Sequence, residues 1–317
     1  MDLRVVFLGV GARAPTAERG VSATVVCRGP EHLLVDCGEG AQRQMMRSTA
    51  GLRHLTTILI THCHGDHVLG LPGLLATFSE VRREPLEVMG PPGVAALVEG
   101  FRPYFGELAF PLAVREVCPG AAEARDGYVL QALAARHGTP SLGWLLREDQ
   151  RPGRLDDARA AVLGVPEAPE RASLASGADV TLPGGRRVRA GDVVGRPRAG
   201  RRIVFSGDTL PAPAIAAAAA GAELLIHDAT FLERDAALAR RTGHSTAAEA
   251  ARVAAEADVG MLALTHRSER YAGEEMLLEA RAIFPRTVAP ADFDVIEIPL
   301  PERGAPRLTA GAALARG

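Results

Sequence analysis

Residues 55–67 read Leu55-Thr56-Thr57-Ile58-Leu59-Ile60-Thr61-His62-Cys63-His64-Gly65-Asp66-His67, and this stretch decides the fold. Its first half is a short run of β-branched and apolar residues, the pattern of a buried strand. Its second half sets three histidines and an aspartate within six residues, directly after that strand. Imidazole nitrogen and carboxylate oxygen are the donors that zinc takes in hydrolytic sites, where water keeps one position. A tight loop at a strand end sends His62 and His64 one way and Asp66 and His67 another, which serves two neighbouring metals. A histidine-rich surface loop, or a helix start capped by Asp66, would not require this spacing.

On either side the chain alternates short apolar runs with helical stretches, the arrangement of an α/β domain. Strands are expected at 4–8, 23–27, 33–35, 55–60, 203–205, 223–226 and 261–264, the first three antiparallel because their links are short. Helices are expected at 42–47, 68–78, 247–257 and 274–284, with the alanine-rich stretch 212–221 as a surface or packing helix.

Three further metal candidates stand just past strand-like segments, where α/β sheets build their sites. Asp208 follows 203–205, His266 follows 261–264, and His137 follows the apolar stretch 128–134. Each alone reads equally well as a turn residue or a satisfied core histidine; their shared position argues for joint ligation. Asp36, in the glycine-rich turn Val35-Asp36-Cys37-Gly38-Glu39-Gly40, either holds a ligating histidine through its second ring nitrogen or is a plain turn residue. His244, in Gly243-His244-Ser245-Thr246, opens an alanine-rich helix whose start attracts phosphate. Thr246 and Glu249 fit a capping box there. His244 is placed to protonate a leaving oxygen, with Asp228 of His227-Asp228-Ala229-Thr230-Phe231 holding the imidazole.

The composition suits one soluble domain spanning 1–317: 47% of residues are apolar and 23% charged, too apolar for disorder. No run reaches the roughly 18 apolar residues of a membrane span. Met1-Asp2-Leu3-Arg4 runs straight into a strand without a signal-peptide pattern, so the expected location is cytoplasmic. Four scattered cysteines point to reduced thiols. All 36 basic side chains are arginine, and a net charge of −2 singles out neither a nucleic-acid nor a membrane partner. Residues 148–200 are rich in proline, glycine and charge, with two short alternating pieces near Val180 and Val188. They read as an inserted arm or loop hairpin and not as a second globular domain, with a disordered linker as the alternative on composition.

Taken together, these residues resemble the short form of ribonuclease Z, an endonuclease family of the metallo-β-lactamase superfamily that trims the 3′ trailer from precursor tRNA. The likeness runs nearly end to end. It is carried by Phe7-Leu8-Gly9, Val21-Ser22-Ala23, Asp36-Cys37-Gly38-Glu39-Gly40 with Gln42-Arg43-Gln44, and His64-Gly65-Asp66-His67 with Gly70-Leu71-Pro72-Gly73-Leu74. Ser206-Gly207-Asp208-Thr209, Gly243-His244-Ser245-Thr246, and His266 with Ser268, Arg270 and Tyr271 complete it. The resemblance implies a metallo-β-lactamase αββα sandwich with an inserted arm. It implies that His62, His64 and His137 hold one zinc, that Asp66, His67 and His266 hold a second, and that Asp208 bridges them. Asp66 doubles as proton acceptor, and Ser245, Thr246, Ser268 and Arg270 become candidate substrate contacts. The implied chemistry is two-metal phosphodiester hydrolysis, with manganese or iron accepted by the same ligands. The implied assembly is a homodimer whose arm reaches toward tRNA.

Departures from the family fall on the substrate side. The loop usually written Pro-Thr-Lys-x-Arg-Asn is Pro15-Thr16-Ala17-Glu18-Arg19-Gly20, and the arm stretch 166–173 is nearly free of positive charge. Asp228 replaces a longer glutamate, and Arg267 a phenylalanine. Arg186, Arg187, Arg189, Arg196, Arg198, Arg201 and Arg202 crowd the return from the arm, either as a replacement grip on RNA or as a solvated loop. Two rival functions stay open on these residues. One is a related metallo-hydrolase of a small phosphodiester, sulfate ester or other ester; the other is a metal-binding protein without turnover.

Overall fold

The computed structural model describes residues 1–311, in which the chain lays down one sheet, then a second, and then returns to the first. β1 (Leu3–Gly9), β2 (Ala23–Arg28), β3 (Glu31–Val35), β4 (Leu55–Leu59), β5 (Leu86–Gly90) and β6 (Leu112–Glu116) lie side by side in that order. β1, β2 and β3 pair antiparallel, as their short links require, and β3 through β6 run parallel. The second sheet begins with β7 (Ala122–Arg125), β8 (Tyr128–Ala134) and β9 (Leu142–Glu148). After an excursion that contains the hairpin β10 (Val180–Thr181) and β11 (Arg187–Val188), it takes up β12 (Arg202–Phe205), β13 (Leu224–Asp228), β14 (Met261–Thr265) and β15 (Thr287–Val288). Its order is β15-β14-β13-β12-β9-β8-β7, parallel from β12 to β15. β16 (Val295–Glu297) and β17 (Arg307–Thr309) then extend the first sheet beyond β1.

β1 explains the layering. Val5, Val6, Phe7 and Leu8 are all fully buried, so both faces of the strand are covered. Because side chains alternate along a strand, Val6 and Leu8 share one face. They pack with Met45 and Leu71 of the helices Ala41–Arg47 and Leu71–Val81. Val5 and Phe7 take the other face, toward the second sheet. On that sheet Val204, Leu225 and Leu262 pack beneath the helices Pro213–Ala219, Ala247–Glu256 and Gly273–Arg281. Each such side chain contributes roughly 1.5–3 kcal/mol on leaving water. The result is the αββα sandwich.

The helix expected at 68–78 is two helices. Gly65–Val68 makes one turn, and Leu71–Val81 starts afresh after Gly70. A Cβ on Gly70 would stand 2.2 Å from the Gly38 carbonyl, so the chain breaks where two loops touch.

Asp126–Tyr128 and Arg147–Gly200 form a second compact unit. In it the helices Asp157–Val162, Glu170–Ala175 and Ala190–Val193, with the β10–β11 hairpin, enclose Ala160, Val165, Leu174, Leu182, Val188 and Val193. This segment is therefore more than a loop hairpin. Helices of six, six and four residues are too short to show a 3.6-residue repeat in sequence. Of the arginines grouped there by sequence, Arg186, Arg189 and Arg196 are exposed, and Arg187 pairs with Asp179 at 2.9 Å. Arg201 and Arg202 serve the first unit: Arg201 donates to the carbonyls of Ile298 (2.8 Å) and Met1 (2.9 Å), and Arg202 to that of Ala220. No helix among the described residues is long and apolar enough to cross a membrane.

Candidate metal centre

β4 delivers its buried end to Thr61 and the histidine loop, and β3 ends beside it at Asp36. Asp36 adopts a left-handed backbone (φ 58°) that turns its carboxylate into the loop. One oxygen accepts the Thr61 N–H at 2.8 Å; the other accepts from the Ser22 hydroxyl at 3.0 Å and from His67 Nδ1 at 2.7 Å. The Thr61 hydroxyl donates to Asp36 at 3.0 Å and accepts from His62 Nδ1 at 3.1 Å. With both Nδ1 atoms occupied, Nε2 of His62 and of His67 is directed to the centre. Of the two readings of Asp36, the structure selects the one that orients a histidine.

The other candidates arrive on the second sheet. Gly207 (φ +60°) turns the chain after β12 to present Asp208; a Cβ there would meet the Leu142 carbonyl at 2.7 Å. His266 follows β14, also left-handed (φ 52°), and its Nδ1 donates to the Thr230 hydroxyl at 2.8 Å. His137 follows β8, and its Nδ1 donates to the Gly243 carbonyl at 2.8 Å.

These side chains converge. His62 Nε2 lies 2.9 Å from His64 Nδ1, which lies 3.3 Å from His137 Nε2. Asp66 Oδ2 is 3.2 Å from His266 Nε2 and 3.7 Å from His67 Nε2. One oxygen of Asp208 stands between the two sets, 3.6 Å from His62 Nε2, 3.3 Å from His67 Nε2 and 3.2 Å from His266 Nε2. Donors held about 2.0–2.1 Å from one tetrahedral ion lie roughly 3.3 Å apart, which is the spacing found here. His67 Nε2 is buried without a hydrogen-bond partner, and an imidazole nitrogen in that position is suited to a cation. Burial pushes the His62 imidazole well below its ordinary range, which keeps it neutral, the form that binds metal. Burial opposes the charge of Asp208, yet His266, His67 and His62 around it hold the carboxyl well below the usual carboxylate range. The residues present fit divalent cations.

Beside this centre, Asp228 is fully buried and every lone pair is engaged. Oδ1 accepts from the Thr230 N–H (3.0 Å) and hydroxyl (2.7 Å), and Oδ2 from the Thr209 N–H (3.0 Å) and His244 Nδ1 (2.9 Å). The shorter carboxylate still reaches its histidine. Burial alone would lower the His244 pKa; the Asp228 carboxylate outweighs it and pushes the imidazole up to about 9. The His244 ring stacks on His266, with centroids 5.1 Å apart, and the residue lines a cavity.

That cavity, about 630 Å³, is lined by the donor candidates His64, Asp66, His137, Asp208 and His266, with Arg13, Leu69 and Phe231 also in its walls. A larger hollow of about 770 Å³, lined by Arg4, Arg201 and Arg303 among others, contains none of the clustered metal donors. The substrate candidates fare differently from the metal candidates. The Ser245 hydroxyl donates to the Thr209 carbonyl at 2.6 Å, and Thr246 forms the expected capping box with Glu249, so both are committed inside the protein. Ser268 accepts from the Arg270 N–H at 3.3 Å, and neither borders the cavity. Arg267 is buried and donates to the Pro290 carbonyl; burial pushes its guanidinium down to about 10. Sequence reading missed Thr61, Thr230 and the Gly243 carbonyl. Thr61 lay within the quoted stretch, but a threonine there carries no signal until its partner Asp36 is seen.

The metallo-beta-lactamase superfamily model matches residues 16–266. Ribonuclease Z of Methanosarcina acetivorans is 43% identical over 302 residues, covering 94% of this chain and 98% of that protein. Ribonuclease Z of Haloferax volcanii is 44% identical over 310 residues, covering 94% and 96%. Among solved structures, human tRNase Z, short form, superposes with a TM-score of 0.69 at 29% identity, covering 93% of this chain and 99% of that one. With its sandwich fold and convergent His/Asp donors, this chain belongs to the ribonuclease Z family of metallo-β-lactamase hydrolases.

Proposed function

We propose that this protein is the endoribonuclease that removes the 3′ trailer from precursor tRNA, working with two zinc ions. The observation that carries the reading is the pair of three-donor clusters joined through Asp208, in a chain 43% identical to ribonuclease Z. In this reading His62, His64 and His137 would hold one ion and Asp66, His67 and His266 the other, with Asp208 between the two sets. Bound there, divalent ions neutralise charge on the phosphodiester and acidify water in the site. Asp66, kept ionised against burial by His266 and His67, takes a proton from the attacking water at a carboxylate oxygen. His244 donates a proton from Nε2 to the leaving oxygen, with Asp228 fixing the ring and its charge. On the same reading the enzyme is a cytoplasmic homodimer.

Cleavage of a precursor tRNA beside a small chromogenic phosphodiester tests the substrate. A cut near the discriminator base is the expected result; hydrolysis of the small diester alone would refute tRNA processing. Stripping with a chelator should abolish both activities, and re-addition of zinc to about two equivalents per chain should restore them. Full turnover by metal-free protein would rule the centre out.

The acid role of His244 has a pH signature. With its pKa near 9, His244 is protonated at neutral pH, so kcat should fall as pH rises through about 9. Asp228→Asn removes the opposing charge, and the alkaline limb should move down by about 1–3 units. A limb that stays in place would show that another group titrates there.

A further inference from the structure

The loop between β1 and β2 crosses the edge of the metal cavity and is held in one conformation. Gly11 N–H bonds to the Gly20 carbonyl (2.9 Å), Thr16 N–H to the Arg19 carbonyl (2.8 Å), and Arg267 N–H to the Val10 carbonyl (2.9 Å). Within it Arg13 stands in the left-handed region, φ 67°, a conformation that favours glycine and strains an L side chain. The backbone gains something from it: the Arg13 N–H donates to Asp66 Oδ2 at 2.8 Å. Glycine would supply that N–H without strain, so the bond does not explain why the residue is arginine. The side chain does have a place to act. It is exposed, it lines the cavity with His64, Asp66, Asp208 and His244, and its guanidinium has no hydrogen bond or ion pair with any described residue. The neighbouring arginines are engaged elsewhere: Arg19 donates to the Arg267 carbonyl at 3.1 Å, and Arg267 to that of Pro290. Strain at a cavity edge points to a function carried by the side chain.

We infer that Arg13 is a substrate-contacting residue that grips an RNA-backbone phosphate adjacent to the bond being cut. This rests on the proposed ribonuclease reading. The planar guanidinium fork matches phosphate oxygens in geometry and charge. From the cavity wall, with its backbone anchored on Asp66, the extended side chain reaches the phosphate next to the scissile one. A small diester has no such neighbour, so Arg13 favours polymer over monomer.

The test compares zinc-loaded wild type with Arg13→Ala, Arg13→Lys and Arg13→Gly. Anisotropy of a labelled single-stranded oligouridylate reads RNA binding across a salt series, and kcat/KM is measured on precursor tRNA and on bis(p-nitrophenyl) phosphate. Arg13→Ala should weaken oligouridylate binding by about tenfold and flatten the log K against log salt slope by about 0.7, one phosphate contact on a single strand. Its loss in kcat/KM should be at least about ten times greater on precursor tRNA than on the small diester. Arg13→Lys should recover part of the binding. Arg13→Gly should bind as poorly as Arg13→Ala yet melt at a higher temperature, because glycine accepts the positive φ. The inference is overturned if wild type and Arg13→Ala share one affinity and salt slope, if wild type does not bind the oligouridylate, or if both substrates lose equally. Equal losses would mean that the residue acts by placing Asp66. Arg13-dependent RNA binding without precursor-tRNA cleavage would support Arg13 and remove tRNA processing alone.

Discussion

Asp66→Ala is expected to eliminate hydrolysis of precursor tRNA and of a small phosphodiester alike, by about 10⁴-fold or more, in a protein that still folds. Two losses compound. The carboxylate is 3.2 Å from His266 Nε2 and 3.7 Å from His67 Nε2, so removing it takes away one of the four donors proposed for one ion, Asp208 included. It also removes the proposed proton acceptor, a role worth typically 10²–10⁴-fold by itself. Folding should survive because Asp66 lies in the one-turn helix Gly65–Val68 and supports no apolar core; its hydrogen bonds are to the exposed Arg13 backbone and to His266. Circular dichroism and a melting curve check the fold, and elemental analysis reads metal content. Asp66→Asn separates the roles: the amide keeps the shape and an oxygen but not the charge, and cannot accept the proton at neutral pH. Activity within tenfold of wild type in either variant would sink the mechanism.

Replacing residues 149–199 by a short glycine–serine linker should lower precursor-tRNA kcat/KM by about 10²-fold or more. Small-diester hydrolysis should change by only a few-fold. Phosphate contacts dominate affinity for nucleic acid, and this segment presents Arg186, Arg189 and Arg196 to solvent while its own Ala160–Leu174–Val188 core keeps it folded. All metal-donor candidates belong to the other unit. Removal should therefore affect substrate capture and leave the centre able to load zinc. Undiminished tRNA cleavage would show that the arginines are merely solvated; an equal loss on both substrates would assign the segment a structural role instead.

Why the site was more legible than its support follows from the distances along the chain over which each is encoded. His62, His64, Asp66 and His67 sit in the short loop and one-turn helix behind an apolar strand, so covalent connectivity alone brings them together. His137, Asp208 and His266 were readable because each follows a strand-like run, and parallel strands end on the same side of a sheet. The strands β16 and β17 escaped notice; they are three residues long and carry too few alternations to stand out. The break at Gly70 depends on contact with Gly38, and the core of the second unit on contacts among helices of one or two turns.

The sequence by itself determined the candidate donors, the strand ends that carry them and the family. Those features depend on residue type and short-range order. Only the tertiary structure decided how each imidazole is aimed: Asp36 on His67, Thr230 on His266 and the Gly243 carbonyl on His137. It also showed that Ser245, Thr246, Arg201 and Arg267 are bonded inside the protein, while Arg13 is left facing the cavity. Hydrogen bonds between residues 31 to 106 positions apart depend on sheet register and loop closure, which no local pattern records.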